Sequence, residues 1–412
     1  MLKVINPEVP TAAQKTERLR VTILTSSYPA YRGDYAGIFI EKMALQLAAK
    51  GHKITVVAPG TPGASRHENH ANLQVHRFRY FLPFLERLAY GAGGIPENLK
   101  RNPFLALLIP FFVFGFLWSA WRHSKGADLL HANWTLPAGW VAKRIAGHRN
   151  IPYVVTARGS DLNLAARNGL LRPMARGVLL GAAQVTTVSE ALRDGAIQLG
   201  VPPEKVRVVP SGVAVNPTRP TGQERPSFPR PKAVFVGSLR DLKGVDVMLD
   251  ALAILRDKNV PTSAWIVGDG PARQALEEQC RRLKLTDRVA FVGQRPHEEV
   301  GSWLAEADYL VLPSFSEGRP NVVYEAFAVG CPVVATDIPG TRELVTDKDR
   351  GLLVPPKDAK ALAEAMEQVG TNEVLAQHLA EQASRWLTSQ GLTWEICARN
   401  YLSVYQTALP SR

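Results

Sequence analysis

Short apolar runs of strand length alternate with helical patterns along almost the whole chain, and the alternation stops once and then restarts. Strands separated by helices cannot pair as hairpins, so they are expected to form parallel sheets with helices on their faces. The first set runs Val21 to Thr25, Ile54 to Ala58, Asp128 to His131, Tyr153 to Thr156, Val185 to Val188 and Val206 to Val209. Phe39 to Lys50 is the helix after the first of them, and Gly51 is its stop. Ala214 to Lys232, rich in Pro, Arg, Thr and polar residues, has the composition of a linker. The second set runs Ala233 to Val236, Ala264 to Val267, Val289 to Phe291, Tyr309 to Leu312, Val333 to Ala335 and Gly351 to Val354. The fold class read from this pattern is α/β, with two Rossmann-like, doubly wound domains over 1–213 and 214–390. The length, 412 residues, exceeds the roughly 100–200 of a single domain and fits two cores.

Composition narrows the classes of function. Hydrophobic residues at 46% and charged residues at 21% suit an ordered globular chain. Cys280, Cys331 and Cys397 are odd in number, far apart and in no metal-ligand spacing, which reads as reduced core cysteines of a cytoplasmic protein without structural zinc. A formal charge of +12 favours anionic partners. Nucleic acid is not expected among them, because no stacked-aromatic motif, zinc-finger spacing or dense Lys/Arg run is present. Anionic lipid headgroups or a diphosphate-bearing molecule fit better, and a merely basic soluble surface fits as well. Met1 to Glu17 lacks the apolar core and cleavage pattern of a signal peptide and reads as a frayed leader.

Phe104 to Trp121 contains no charge and is flanked by Lys100, Arg101 and Arg122. Its length is marginal for a membrane span. A single span would put strands of one sheet on opposite sides of a bilayer, so two other readings are preferred. One is a buried crossover helix. The other is a monotopic helix, peripheral at the inner face of the membrane, that dips a face including Phe111, Phe112 and Phe116 into lipid.

Chemistry concentrates between Ser314 and Glu343. Pro320 and Asn321 read as a helix start, Tyr324 to Val329 as its body and Gly330 as its stop. Glu317 then lies in the loop before the helix and Glu325 about one turn inside it. Carboxylates can accept hydrogen bonds from sugar hydroxyls or a ribose diol, while the helix start offers N–H groups and a positive dipole end to a diphosphate. A solvated acidic loop before an amphipathic helix is the alternative. Gly318, expected to keep backbone close to a ligand, and the strand from Pro332 to Thr336 favour a site at a strand's carboxyl end. Asp337 to Gly340 is expected to form a further turn there.

The run from Glu317 to Ala335, Glu-Gly-x-Pro-Asn-x-x-x-Glu-Ala-x-Ala-x-Gly-x-Pro-Val-Val-Ala, resembles the E-x7-E signature of the retaining glycosyltransferases of family 4, whose fold is GT-B. Val188-Ser189-Glu190, Pro210 to Val213, Val236 to Leu239, Lys243 to Asp246, Gly268 to Pro271 and Gly351 to Pro355 are similar to further pieces of that family, in family order. The resemblance implies two domains facing across a cleft and a terminal helix, 391–412, that crosses back onto the first domain. It implies a transferase that moves a sugar from a nucleotide-sugar to a saccharide acceptor without a cofactor. Helix dipoles and Lys243 can neutralise the diphosphate, so no metal is expected, and Phe104 to Trp121 with the basic balance points to a lipid-linked acceptor in cell-surface polysaccharide or glycolipid assembly. In that reading Glu325 holds the ribose, Glu317 the sugar hydroxyls and Lys243 the diphosphate, with Arg240, Gly237, Gly318 and Asn321 beside them. Ser238 stands where the family usually carries Arg. Base recognition falls near Gly293 to Pro296.

On the first domain, Gly33 and Gly37 lie after the first strand, and Gly37 is the closer family match for a backbone approaching phosphate or acceptor. Thr156 to Asp161 resembles a family segment in which Arg158 replaces His; Arg158 and Asp161 are expected to border the reacting carbon. An Arg cannot act as a base near neutral pH but can hold a developing negative charge. The alternative is that Arg158 anchors Asp161 structurally. His131, at a strand end, is a candidate for the acceptor side or else a satisfied structural residue. His67 and His70 sit in a polar loop, and Asp347 and Asp349 in a charged turn; neither pair is expected to hold metal. Two other functions stay open: an epimerase of the same fold acting on a nucleotide-sugar alone, and a membrane-associated sugar-nucleotide sensor.

Overall fold

The computed structural model describes residues 18–31, 33–89, 94–159, 161–162, 164, 168–213 and 225–410. The expected leader, 1–17, and most of the expected linker lie outside them. Among the described residues, fourteen strands form two sheets. The first takes in β1 (Arg20–Leu24), β2 (Lys53–Pro59), β3 (His67–His70), β4 (Leu73–Phe78), β5 (Leu129–Asn133), β6 (Tyr153–Ala157), β7 (Gln184–Thr187) and β8 (Val206–Val208), in the order β3-β4-β2-β1-β5-β6-β7-β8. The second takes in β9 (Lys232–Val236), β10 (Ser263–Val267), β11 (Val289–Gly293), β12 (Tyr309–Leu312), β13 (Val333–Thr336) and β14 (Leu352–Val354), in the order β11-β10-β9-β12-β13-β14. Every pairing is parallel except that of β3 with β4.

Burial explains the strand sequences. β5, β6 and β7 are covered on both faces, so all their side chains are buried and their sequences run without polar alternation. In each sheet the strand order reverses beside the first strand, between β1 and β5 and between β9 and β12. Such reversals leave a crevice at the carboxyl ends of the strands.

The hairpin of β3 and β4 was not among the expected strands, and His67 and His70 sit in β3 rather than in a loop. Arg77 conceals it: this buried cation occupies a core-facing position of β4, with Nη1 2.6 Å from Glu68 Oε1 and Nη2 donating to the Pro29 carbonyl at 2.5 Å. A charge there breaks the apolar alternation that marks a strand.

The apolar segment is a 3-10 turn over Pro103–Leu108 followed by the helix Ile109–His123. Pro103–His123 is long and apolar enough to span a membrane, with a mean hydropathy of 2.0. It is nevertheless not threaded between two compartments, because β4 before it and β5 after it belong to one sheet. Nor is it a wholly buried crossover. Phe112, Phe116 and Ala120, spaced four apart, lie on the inner face, with Phe116 stacked on Phe78 at 4.8 Å between ring centroids. Phe112 and Phe116 are therefore core residues and not part of a lipid-facing set. Phe111, Phe114 and Trp118 are exposed.

The terminal helix, Trp394–Ala408, joins the first domain's core: Cys397, Tyr401 and Tyr405 pack with Ile40, Met43 and Leu47. His131 belongs to this junction. It is fully buried, with Nδ1 2.8 Å from Tyr405 Oη and Nε2 2.7 Å from Thr156 Oγ1, so it does not line the acceptor side. Burial, reinforced by the positive charge of Arg158, pushes its pKa down to about 3.

A neutral native imidazole with a titratable unfolded counterpart makes stability pH-dependent. Between an unfolded value of about 6.5 and the native value, the unfolded chain binds the extra proton, so stability falls as pH falls. The expected contribution is about 1.4 kcal/mol per pH unit across that window. Denaturant titrations at several pH values should therefore give a shallower slope for His131→Gln than for the parent, whatever the variant's absolute stability.

Candidate functional site

Loops from the carboxyl ends of both sheets meet edge to edge. After β9, the chain turns through Gly237 and Ser238 into the short 3-10 helix Asp241–Lys243. Gly244 follows with a positive φ of 66°, and a Cβ there would lie 2.1 Å from the Pro313 carbonyl oxygen. Only glycine lets this loop close onto the one after β12, where Phe315 N–H donates to the Leu242 carbonyl at 2.8 Å.

That contact carries Lys243 to Glu317. Lys243 Nζ lies 2.5 Å from Glu317 Oε1, which also accepts from Ser314 Oγ at 2.7 Å. The Lys243 and Glu317 side chains keep only 17% and 10% of their exposure, so both ions sit largely out of water and depend on each other. Gly340, after β13, packs against the Glu317 backbone. The expected turn from Asp337 to Gly340 runs directly into a short helix, Pro339–Arg342.

The helix after Glu317 spans Asn321–Val329, entered through Pro320 and ended by Gly330 at φ 70°. Glu325 projects from it toward the loop after β11, with Oε1 3.7 Å from Nε2 of His297. Burial raises the Glu325 pKa, and His297 opposes the rise. Thus Lys243 and Glu317 are in direct contact, while the described partner of Glu325 is His297, a residue with no sequence motif of its own. Arg240 reaches back to Ser238, Nε to Oγ 3.2 Å, and its charge acts on Tyr35 of the other domain.

Across the cleft, described residues of the two domains meet at several points. A Cβ on Gly33 would sit 3.3 Å from Pro296 Cβ. One on Gly318 would sit 2.5 Å from the Arg158 carbonyl oxygen. Glu343 accepts hydrogen bonds from the N–H groups of Glu190 and Ala191 at 3.1 and 2.8 Å, capping the helix Glu190–Gln198 from the opposite domain. Arg319 holds that carboxylate, Nη1 to Oε2 2.9 Å. Glu343 and Arg319 were not singled out in the sequence, because a cap supplied by another domain has no local pattern.

Several glycine and acid expectations change accordingly. At Gly318 the space a Cβ would need is taken by the Arg158 carbonyl oxygen. Gly37 caps the helix Ile38–Ala49 at φ 71°, and the space a Cβ would need is filled by the Ser27 carbonyl, 2.5 Å away. Gly237 packs beside the Phe235 ring. Asp161 faces inward: Oδ2 accepts from Thr135 N and Oγ1 at 2.7 and 2.8 Å, and Oδ1 from the N–H groups of Arg158 and Gly159 at 3.1 and 3.0 Å. It ties the loop after β5 to the loop after β6, and that bonding leaves it no free side toward a reacting carbon. The Arg158 guanidinium lies 4.2 Å over the Phe39 ring and donates to Asn133 Oδ1 at 2.7 Å, while its buried Nε has no partner.

With this geometry in view, the family follows. Residues 36–212 match the pattern described as Glycosyl transferase 4-like domain, and residues 223–386 match Glycosyl transferases group 1. The chain belongs to these family 4 glycosyltransferases of GT-B fold and is a glycosyltransferase. Among its relatives, D-inositol 3-phosphate glycosyltransferase of Jonesia denitrificans is 31% identical over 76% of this chain and 80% of its own length. TuaC of Bacillus subtilis (strain 168), named as a candidate teichuronic acid biosynthesis glycosyltransferase, is 29% identical over 90% and 94% of the two chains. The crystal structure of Anabaena HepE in complex with UDP-glucose superposes with a TM-score of 0.71 at 19% identity, over 95% and 100% of the chains.

The approach at Gly318 can be tested directly. Adding one methyl group in Gly318→Ala must push the Arg158 backbone away, which misaligns the two edges. We expect transfer to slow at least tenfold, roughly, since misplacements near 1 Å cost on the order of 10²-fold. Small-angle scattering should show a larger radius of gyration with little change in melting temperature.

Proposed function

We propose that the protein is a retaining glycosyltransferase that takes a sugar from a nucleoside diphosphate sugar bound by the second domain. The contact between Lys243 and Glu317 at the crevice between β9 and β12, beside the start of the Asn321–Val329 helix, carries this reading. A diphosphate needs cations and N–H donors, and a hexose needs a carboxylate acceptor; both are gathered there. Lys243 has three donor positions, so holding Glu317 leaves capacity for phosphate oxygens. Arg240 assists, Gly237 and Gly318 shape the turns, and Asn321 opens the helix whose N-terminus faces the diphosphate. Glu325 takes the ribose, exchanging the His297 contact for diol hydrogen bonds. UDP-glucose bound by the Anabaena protein of the same fold supports this donor class.

In the reaction, the bond from the anomeric carbon to the leaving phosphate oxygen breaks and the acceptor oxygen bonds to the same face. The acceptor's proton passes to the departing phosphate oxygen. Lys243 and the helix start stabilise the charge growing on that phosphate, so the reaction is metal-independent. Arg158, with an unpartnered N–H, adds a fixed cation from the first domain, and Asp161 acts by holding the Arg158 loop rather than by touching substrate. The acceptor, a saccharide or a lipid-linked saccharide of cell-surface assembly, enters along the first domain between Gly37 and Arg158. Closure between the edges excludes water. Unpaired, buried Cys280, Cys331 and Cys397 suit work in a reducing compartment such as the cytoplasm.

Lys243→Ala should reduce kcat by about 10²–10³-fold, the range seen when a charge-stabilising donor is lost. Glu325→Ala should instead weaken donor binding by at least roughly tenfold, read by calorimetry with a panel of nucleotide-sugars. Proton NMR of the product should show the donor's anomeric configuration, and EDTA should leave the rate unchanged. Near-normal turnover of the lysine variant would refute its role, and an inverted product would refute retention. A single rearranged sugar formed without acceptor would favour the epimerase reading.

A further inference from the structure

The outer face of the Ile109–His123 helix and the loop after β4 form one exposed apolar surface. Phe114, Trp118 and Phe84 are 70%, 62% and 61% exposed, and Phe81 lies against Phe111 with ring centroids 5.4 Å apart. Between helix and loop runs a groove of about 360 Å³, where Phe111, Phe114 and Trp118 meet Arg79 and Arg122. Among the described residues, Arg79 and Arg122 line it, and no carboxylate does. From Asn98 to Ala127 there is no Asp or Glu, while Arg101, Arg122 and Lys125 are exposed, and Lys100, also exposed, pairs with Glu97 at 3.7 Å.

We infer that this surface docks on an anionic phospholipid bilayer. Aromatic side chains would enter the headgroup boundary, and the phosphate of a lipid would lie in the groove between Arg79 and Arg122. Charge decides against a second copy of this chain as the occupant. Packing the face on itself would bring Arg79 and Arg122 of both copies together with no carboxylate in the groove to pair with them. The loop that bears Phe81 and Phe84 leaves β4 at its carboxyl end, the edge that faces the second domain. None of this depends on which sugar is transferred, or on whether transfer occurs.

Flotation with sealed vesicles tests the inference, using phosphatidylcholine alone and phosphatidylcholine with about one-third phosphatidylglycerol. The full chain should float with the anionic vesicles and bind the neutral ones at least about tenfold more weakly. Phe111→Ser, Phe114→Ser and Trp118→Ser combined should abolish flotation without lowering the melting temperature, since all three are exposed. Arg79→Gln with Arg122→Gln, which removes no apolar surface, should weaken binding by roughly tenfold or more, at about fivefold per cation. Equal binding to both vesicles, or unchanged binding of the arginine variant, overturns the inference. Concentration-dependent dimerisation lost in the aromatic variant overturns it equally, by assigning the face to a second copy.

Discussion

Everything at the cleft depends on how closely two sheet edges can approach. The Arg158 carbonyl oxygen lies where a side chain at position 318 would begin, so a glycine there sets the separation of the domains at the centre of the site. Gly33 against Pro296 sets it at a second point. Glu343 adds a directional bond at a third, placing a carboxylate on the N-terminus of a helix from the other domain. These are local contacts of loops and one charge-assisted cap, not a shared apolar core. The apolar cores remain within their own domains, apart from the terminal helix. Hinged movement between domains is thus cheaper than deformation within either.

The charges inside the second domain are arranged on the same principle of partial satisfaction. Glu317 has both Lys243 and Ser314 as partners, which keeps two largely buried ions tolerable. Glu325 has a weaker partner, with His297 Nε2 at 3.7 Å, and burial raises its pKa. A carboxylate left under-satisfied in this way gains more from an incoming pair of hydroxyls than one already bonded. Asp161, with four hydrogen bonds, has nothing further to gain and behaves as a structural tie.

Architecture was legible in the sequence where burial is two-sided. β5, β6, β7 and β12 are buried along their whole length and fell within a residue or two of the expected positions, although His131, Asn133, Thr156, Gln184, Thr186 and Thr187 bring polar groups into them. The β3 and β4 hairpin escaped because Arg77 satisfies its charge with Glu68 and the Pro29 carbonyl, a solution invisible to periodicity. The helix Asn321–Val329 was legible from both ends, since Pro at its entry and Gly at its exit act through local φ and ψ alone. The ion pair of Lys243 with Glu317 was expected only as membership of one pocket. Its direct contact depends on Gly244 closing onto Pro313 across 69 positions of sequence (313 minus 244).

Residue type fixes what a side chain can do, but its surroundings select which of those things it does. His131, Asp161 and Gly318 all have the chemistry expected of a sugar-transfer site, and all three spend it on protein contacts. His131 bridges Tyr405 of the terminal helix to Thr156 of β6. Thr156 is two residues before Arg158, and Asp161 bonds the Arg158 N–H directly. The terminal helix, the floor of the first domain and the Arg158 loop are consequently one connected unit. The loop's position against Gly318 is then set partly by side chains that never see the cleft. A hydrogen-bonded route thus runs from the terminal helix through His131 to the strand that carries the Arg158 loop.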